Sequence, residues 1–124
     1  MTRYLVAIHL PDDYNPAAED PAMVRDIDSL NAEMVAAGVR VFVGGLQMAP
    51  RAKTLRRGGD GKVRVTDGPF AEAREHVGGF WVLELPSLED ALAWGEKAVI
   101  ACRSEADRID LLVMGAYGTP ASAT

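Results

Sequence analysis

The chain contains few of the residues that metal, redox or disulfide chemistry needs. It has one cysteine, Cys102, and two histidines among 124 residues. A single cysteine cannot form a disulfide within the chain, which favours a reducing, cytoplasmic location. The sequence has no Cys-x-x-Cys pair, no His-Glu-x-x-His motif and no aspartate-rich loop. We therefore expect no metal and no other cofactor.

Long apolar runs and an excess of positive charge are also missing. No apolar stretch approaches the roughly 18–20 residues that a membrane-spanning helix needs. The net charge of −5 disfavours binding to nucleic acid or to anionic lipid. The composition, 48% hydrophobic and 25% charged, is that of one globular domain with a single core. We place this domain at residues 1–114 and expect a flexible tail at residues 115–124.

Strand and helix patterns alternate along the chain. Residues 3–10 alternate side chains between two faces, as a strand does. Asp20 and Pro21 predict the start of a helix that ends at Gly38, and Ser87 predicts the start of a second helix. Further strands are predicted at residues 39–46, 54–57, 62–66, 80–85 and 109–114, with a glycine-rich turn at 58–61. Apolar stripes predicted to face the sheet are Met23, Ile27, Leu30 and Met34 in the first helix, and Leu88, Ala91, Leu92, Gly95, Ala98 and Val99 in the second.

The predicted order, β-α-β-(hairpin)-β-α-β, indicates an α+β domain with a ferredoxin-like fold. Two helices can cover only one face of its sheet. The first strand, however, is apolar on both faces, since Leu5 and Ala7 oppose Tyr4 and Val6. A sheet that is apolar on both sides needs a second cover. We therefore predict a homodimer whose sheets face each other; the alternative is a monomer in which the hairpin and tail fold over that face.

Two carboxylates and an aromatic ring lie close together in the sequence, at Asp67, Glu72 and Phe70. The residue two after Asp67 is Pro69, which has no N–H to offer that carboxylate. Asp67 must bond another partner, cap a short helical turn begun by Pro69, or stay available to a ligand. Because the proline stiffens the loop, we hypothesise that Asp67 and Glu72 are acid/base groups and that Phe70 shapes a pocket.

The two histidines and Gln47 complete the candidate site. If residues 69–77 are helical, Glu72 and His76 share a face, and the carboxylate would orient the imidazole as a general base. The alternative is a solvated turn. His9 ends the first strand on the face predicted to meet a second subunit, where it would line a pocket for a substrate. Gln47 follows the second strand and either binds a ligand or ties down the next loop.

The predicted hairpin is basic in a chain that is acidic overall. It holds six of the 13 lysines and arginines: Arg51, Lys53, Arg56, Arg57, Lys62 and Arg64. Such a cluster attracts an anionic substrate or an acidic partner, or it keeps an exposed hairpin soluble. The hairpin has no aromatic side chain to stack on bases, which disfavours nucleic acid as the partner.

Residues 65–85 resemble the signature of the DGPF branch of the YCII-related proteins. The likeness continues through residues 87–94 and back to Tyr4, and it covers roughly residues 3–98. This resemblance implies a ferredoxin-like dimer of the dimeric α+β barrel superfamily, in agreement with the predicted order of elements. The chain departs from the branch at residues 72–74 and after Ala98.

The resemblance leaves the reaction open. Some YCII-related proteins act on muconolactone-like rings, with a His–Asp pair as the suggested site. Residues 21–37 contain no histidine here, and residues 48–50 replace the partner aspartate, so that pair is absent. The branch instead offers Asp67, Phe70 and Glu72, and its frequent position beside extracytoplasmic-function sigma factors implies a regulatory role.

Two functions from different classes follow from these residues. The first is a cofactor-independent enzyme that uses acid/base carboxylates on a small anionic or cyclic organic molecule. The second is a non-catalytic module that binds a small ligand or a protein in transcriptional or stress regulation. A purely structural dimer would differ from both in having no cavity.

Overall fold

The computed structural model describes residues 1–11, 14, 19–68, 75–102 and 109–118. Within these residues the elements are β1 (Thr2–Pro11), α1 (Pro21–Ala36), β2 (Arg40–Gly45), β3 (Lys53–Arg57), β4 (Val63–Asp67), β5 (Glu75–Leu85), α2 (Leu88–Ala101) and β6 (Asp110–Ala116). A short 3-10 turn, Ala49–Arg51, precedes β3. This order confirms the predicted α+β class.

The main sheet has four strands in the order β2-β5-β1-β6, and every neighbouring pair is antiparallel. The helix α1 connects β1 to β2, and α2 connects β5 to β6. Since β5 lies between β1 and β2, this is the split β-α-β arrangement of a ferredoxin-like fold. The strands β3 and β4 form a separate two-stranded sheet, which confirms the predicted hairpin.

Side-chain caps begin both helices where the sequence predicts them. The Asp20 carboxylate accepts a hydrogen bond from the Met23 N–H at 2.7 Å, and Pro21 occupies the first turn. The Ser87 hydroxyl accepts one from the Asp90 N–H at 3.2 Å. Gly38 follows α1 with φ of 72°, a left-handed conformation that suits glycine and ends a helix.

The core lies between the helices and one face of the sheet. The predicted stripe of α1 is confirmed, since Met23, Leu30 and Met34 are buried. Trp81 in β5 is buried against this stripe, and its indole N–H donates to the Asn31 side-chain oxygen at 2.9 Å. A buried indole needs such an acceptor. One polar residue of α1 therefore completes an otherwise apolar core.

The predicted inner face of α2 is wrong at Leu88 and Leu92, which are half exposed. The buried residues of α2 are small: Ala91, Gly95, Ala98 and Ala101. Such residues let the helix approach the sheet closely. A Cβ at Gly95 would lie only 3.1 Å from Val113 Cγ2. The large leucines are rotated away because the close contact is made by the small ones.

Two strands differ from their predicted form. In β2, the pairing with β5 shifts between Arg40 and Phe42, so Val41 is the extra residue of a bulge and is exposed. Regular strand alternation would place Val41 on the same face as Val39 and Val43, and the bulge breaks that alternation. β5 begins at Glu75, five residues before the predicted start, because β1 continues far enough to pair with it.

The other end of the fold agrees closely with prediction. β6 covers Asp110–Ala116, where the sequence predicts a strand at residues 109–114. Residues 119–124 of the predicted tail lie outside the described residues. Neither described helix has the length and apolar character needed to cross a lipid bilayer.

Candidate functional site

A pocket of about 230 Å³ lies beside the ends of β1 and β5 and the segment after β2. Its apolar walls are Leu10, Leu46, Met48, Ala49 and Pro50, and its polar side chains are Tyr14, Glu19, Gln47 and His76. Leu10 packs against the core, so the pocket opens on the helix-covered side of the sheet. The volume is slightly below the range of drug-sized sites, which suits a small organic molecule.

Gly78 makes room for this pocket. The β1–β5 register shifts between Ile8 and His9, which leaves Gly78 as the extra residue of a bulge. A Cβ at Gly78 would lie 2.1 Å from Leu10 Cδ1, so a side chain here would displace a wall of the pocket. The Gly78 carbonyl also accepts the Leu46 N–H at 2.9 Å, which fixes the segment after β2 beside β5.

Gln47 and His76, two of the six predicted site residues, line the same pocket. His76 pairs with Leu10 in the β1–β5 ladder and is half buried. Gln47 follows Leu46 and is exposed. The hydrogen bond that ties this loop to β5 is made by the backbone N–H of Leu46, the residue before Gln47.

Tyr14 and Glu19 also line the pocket, and the sequence analysis did not identify them. The Tyr14 hydroxyl donates to the Glu19 carboxylate, and the Tyr14 N–H bonds the Pro11 carbonyl at 3.0 Å. The two residues are five apart in a proline-rich segment without helical or strand periodicity. The aromatic ring among turn residues was the one available signal.

Cys102 lies near this pair and is buried at the end of α2. Burial, with a smaller contribution from Glu19, raises the pKa of the Cys102 thiol to about 11. The thiol is therefore protonated near neutral pH and is a poor nucleophile.

The buried thiol is expected to make stability fall at alkaline pH. Its pKa is 9.0 by reference and about 11 in the folded chain. Between these values the folded state binds more protons than the unfolded state, so the free energy of unfolding decreases as pH rises. By pH ~10.5 the loss attributable to the thiol is about 2 kcal/mol. Urea unfolding of wild type and Cys102→Ala from pH 8 upward measures it, since the free energy of unfolding should fall more steeply with pH in the wild type; parallel curves would rule it out.

Asp67 lies outside the pocket. It ends β4, its side chain is 87% exposed, and it pairs with the Lys53 ammonium group across the hairpin. The Asp67 carboxylate, for which Pro69 has no N–H, is therefore paired with a lysine instead. Gly68, with φ of 83°, lies outside the right-handed helical region, as the following proline predicts.

The remaining predicted residues are distributed differently. Phe70 and Glu72 lie outside the described residues. The helical alternative for residues 69–77 is wrong over 75–77, which belong to β5, so the predicted helical spacing of Glu72 and His76 does not hold. His9 occupies the opposite face of the sheet from His76, beside Val77 and Asp110 in the strand register. The structure thus brings Gln47 and His76 together without His9 or Asp67.

Metal ligation has no candidate among the residues that the structure describes. Those residues contain no group of three or more histidine, cysteine, aspartate or glutamate side chains arranged to hold an ion. The chemistry that the pocket itself offers is hydrogen bonding and proton transfer, by an imidazole, an amide and a phenol–carboxylate pair.

Comparison with known proteins agrees with the resemblance of the central segment. An uncharacterised protein of Rhizobium meliloti (strain 1021) is 38% identical over 74 residues. The matched stretch is 60% of this chain and 59% of that relative, so the match spans less than two thirds of the relative's length. Residues 3–102 match the YCII-related domain. On this match and the fold described above, the chain belongs to the YCII-related domain family.

Proposed function

We propose that the pocket beside β1 and β5 binds a small cyclic organic molecule and that His76 transfers protons there without a cofactor. The observation that carries the proposal is the convergence of His76, Gln47 and the Tyr14–Glu19 pair on one apolar-walled cavity. Ligand sites commonly combine apolar walls with a few converging polar groups. His76 is the one basic side chain among the described lining residues, and Glu19 is acidic. This balance favours a neutral cyclic molecule over an anionic one.

Each polar group has a distinct role in this proposal. The imidazole of His76 accepts a proton from a C–H or O–H group of the ligand and returns it to another atom. The Gln47 amide donates a hydrogen bond to a ring or carbonyl oxygen. The Tyr14–Glu19 pair binds a second polar group of the ligand and fixes its orientation.

Three further residues of the predicted site, Asp67, Phe70 and Glu72, belong to the segment that precedes β5. Residues 69–74 connect Gly68 to β5, and β5 begins one residue before His76. We propose that Phe70 and Glu72 keep their predicted roles, the ring as a group that shapes the pocket and the carboxylate as an acid/base group. Asp67, which is exposed and ion-paired, is proposed to hold the root of the hairpin rather than to transfer protons. An exposed ion pair of this kind adds little stability, so its contribution is geometric.

The face of the sheet opposite the helices is proposed to bind a second copy of the chain. We call this the open sheet face; it consists of Leu5, Ala7, Phe42, Phe80, Val82, Leu112 and Met114. The Phe42 and Phe80 rings pack on it with centroids 5.7 Å apart. Charged residues occur at its border, as in the Arg3–Glu84 pair at 3.2 Å. An apolar centre with a charged rim is the composition of a protein interface.

This homodimer, with its sheets face to face, keeps the arrangement that the sequence predicts. The alternative was a hairpin folded over the same face. The described hairpin residues leave Phe42, Leu112 and Met114 exposed, which supports a second copy as the cover. His9 would then lie at the interface rather than in the ligand pocket.

A binding module without turnover is the second candidate, and the position of Asp67 favours it. Asp67, the first carboxylate of the DGPF signature, is paired with Lys53 outside the pocket. In that case the pocket would sense a small ligand for transcriptional or stress regulation. The pocket would be the same, but no product would form.

Variants of His76 distinguish these two functions. We expect a screen of lactones, enols and hydroxylated rings, followed by NMR, to find a compound that the protein converts. His76→Gln should then lower turnover by about a hundredfold or more, since it removes the proton acceptor. Gln47→Ala should weaken binding about tenfold through one lost hydrogen bond.

Control variants and the comparison of binding with turnover distinguish the enzyme from the binding module. Glu89→Gln, on the exposed first turn of α2, should leave binding and turnover unchanged. Equal turnover in wild type and His76→Gln would contradict the enzyme, and binding without any product would establish the module. A loss in Asp67→Asn as large as that in His76→Gln would restore Asp67 as the acid/base group.

A further inference from the structure

The β3–β4 hairpin has an apolar side that no described residue covers. Leu55, Val63 and Val65 are 64%, 59% and 62% exposed. Leu55 is paired with Val65, and Arg57 with Val63, so these apolar side chains share one face. We call them the apolar hairpin face. A two-stranded hairpin is marginally stable in water unless its hydrophobic face packs on something.

The charge of the hairpin indicates which kind of partner the apolar hairpin face binds. Residues 51–68 contain six basic and two acidic side chains, a net charge of +4 in a chain of −5. The rest of the chain therefore carries −9. Within the hairpin, Lys53 pairs with Asp67, and Arg64 with Asp60 at 3.0 Å. A basic arm on an acidic body is complementary to the body of another copy.

The position of the hairpin places such a copy beside it. The hairpin leaves the main sheet between β2 and β5, and β2 is the edge strand. Its two ends are joined, because the Gly68 N–H bonds the Ala52 carbonyl at 2.6 Å and the Thr54 hydroxyl bonds the Gly68 carbonyl at 2.7 Å, so the hairpin extends as one unit. A copy seated on the open sheet face would contact the same sheet from whose end this hairpin extends.

We infer that the apolar hairpin face packs against a second copy of this chain, as an arm that extends the contact between the two sheets. This inference rests on the homodimer proposed above. It adds a second contact, in which Leu55, Val63 and Val65 are buried and Arg57, which shares their face, meets the acidic surface of the partner. The dimer would then be held by the sheet and by two reciprocal arms.

Photo-crosslinking in mixed dimers tests the arm directly. One full-length copy is unlabelled and carries p-benzoylphenylalanine in place of Leu55. It is mixed with a ¹⁵N-labelled wild-type copy so that mixed dimers form. Irradiation should join peptides of unlabelled and labelled chains. The same probe in place of Thr66, which lies on the other face of the hairpin, should give few such products. Cross-links within one chain only, or none from position 55, would overturn the arm.

Dimer affinity gives a second readout that separates the arm from the sheet contact. Leu55→Ser with Val65→Ser should raise the dimer dissociation constant about tenfold or more, while Thr54→Ser with Thr66→Ser should leave it unchanged. If the wild-type protein dimerises and the Leu55→Ser, Val65→Ser variant has the same dissociation constant, the result would contradict the arm but not the homodimer. A wild-type protein that stays monomeric at every concentration would contradict the arm and the homodimer together.

Discussion

Replacing Leu112 and Met114 together with glutamate is expected to turn the protein into a monomer. The two side chains are 44% and 53% exposed, and their residues pair with Ala7 and Leu5 of β1 on the open sheet face. In a face-to-face dimer the substitutions would bury four unpaired carboxylates, each at a cost of several kcal/mol. The dissociation constant should rise by about a thousandfold or more. Sedimentation velocity over a range of concentrations measures the change.

A matched variant on the helical side controls for surface charge. Val24 and Val35 lie on α1 and are 47% and 55% exposed, close to the values of the two sheet residues. Val24→Glu with Val35→Glu should leave the dimer intact. A dimer that survives both pairs of substitutions would show that the open sheet face is not the contact. Because the ligand pocket lies on the other side of the sheet, the monomeric variant should still bind the ligand.

Replacing Trp81 with alanine is expected to cause the largest loss of stability of any single substitution discussed here. Trp81 is 2% exposed, lies at the centre of the core, and donates its indole N–H to Asn31. Removing a buried aromatic side chain lowers the free energy of unfolding by about 3–5 kcal/mol. Urea unfolding of both proteins at the same concentration measures the loss, because the stability of a self-associating protein depends on its concentration.

Asn31→Ala separates the hydrogen bond from the packing. It leaves the ring in place but removes the acceptor of its buried N–H, which should cost about 1–3 kcal/mol. The two residues touch, so the double variant should lose less than the sum of the two single losses. A loss below about 1 kcal/mol in Trp81→Ala would contradict its central place in the core.

The features predicted correctly are those that depend on interactions between residues close together in the chain. The caps at Asp20 and Ser87 and the turn between β3 and β4 depend on short segments, so the sequence contains the information they need. The order of elements then limited the topology to a ferredoxin-like sheet. The features that the sequence did not predict depend on contacts between residues distant in the chain. The bulge at Val41 arises from the register with β5, and Leu92 turns outward because the small residues of α2 pack against the sheet.

The candidate site divides in the same way. Strand alternation placed His9 correctly on the face of Leu5 and Ala7, but it does not tell which face carries a pocket. His76 was singled out as a proton-transfer group from a helical spacing that the fold does not support, since it lies in a strand rather than a helix. Tyr14 and Glu19 were missed because only the folded chain brings them beside β5.

One consequence of the fold is that the ligand pocket and the proposed dimer contact occupy opposite sides of one sheet. His76 pairs with Leu10 on the helix-covered side, whereas His9 lies with Ala7 on the open sheet face. The sequence alone suggested one chamber walled by both histidines. The register separates them, so ligand binding and self-association are expected to respond to different substitutions.

The amide NMR spectrum recorded during titration with small cyclic compounds tests the location of the site most directly. Binding at the proposed pocket would shift the amides of Leu46, Gln47, His76 and Gly78 most strongly. An alternative cavity of about 330 Å³ lies between α1 and α2 and is lined by residues that include Leu30, Lys97 and Ile100. Shifts that cluster there, or on the open sheet face, while the amides around Gly78 stay unchanged, would contradict the site proposed here.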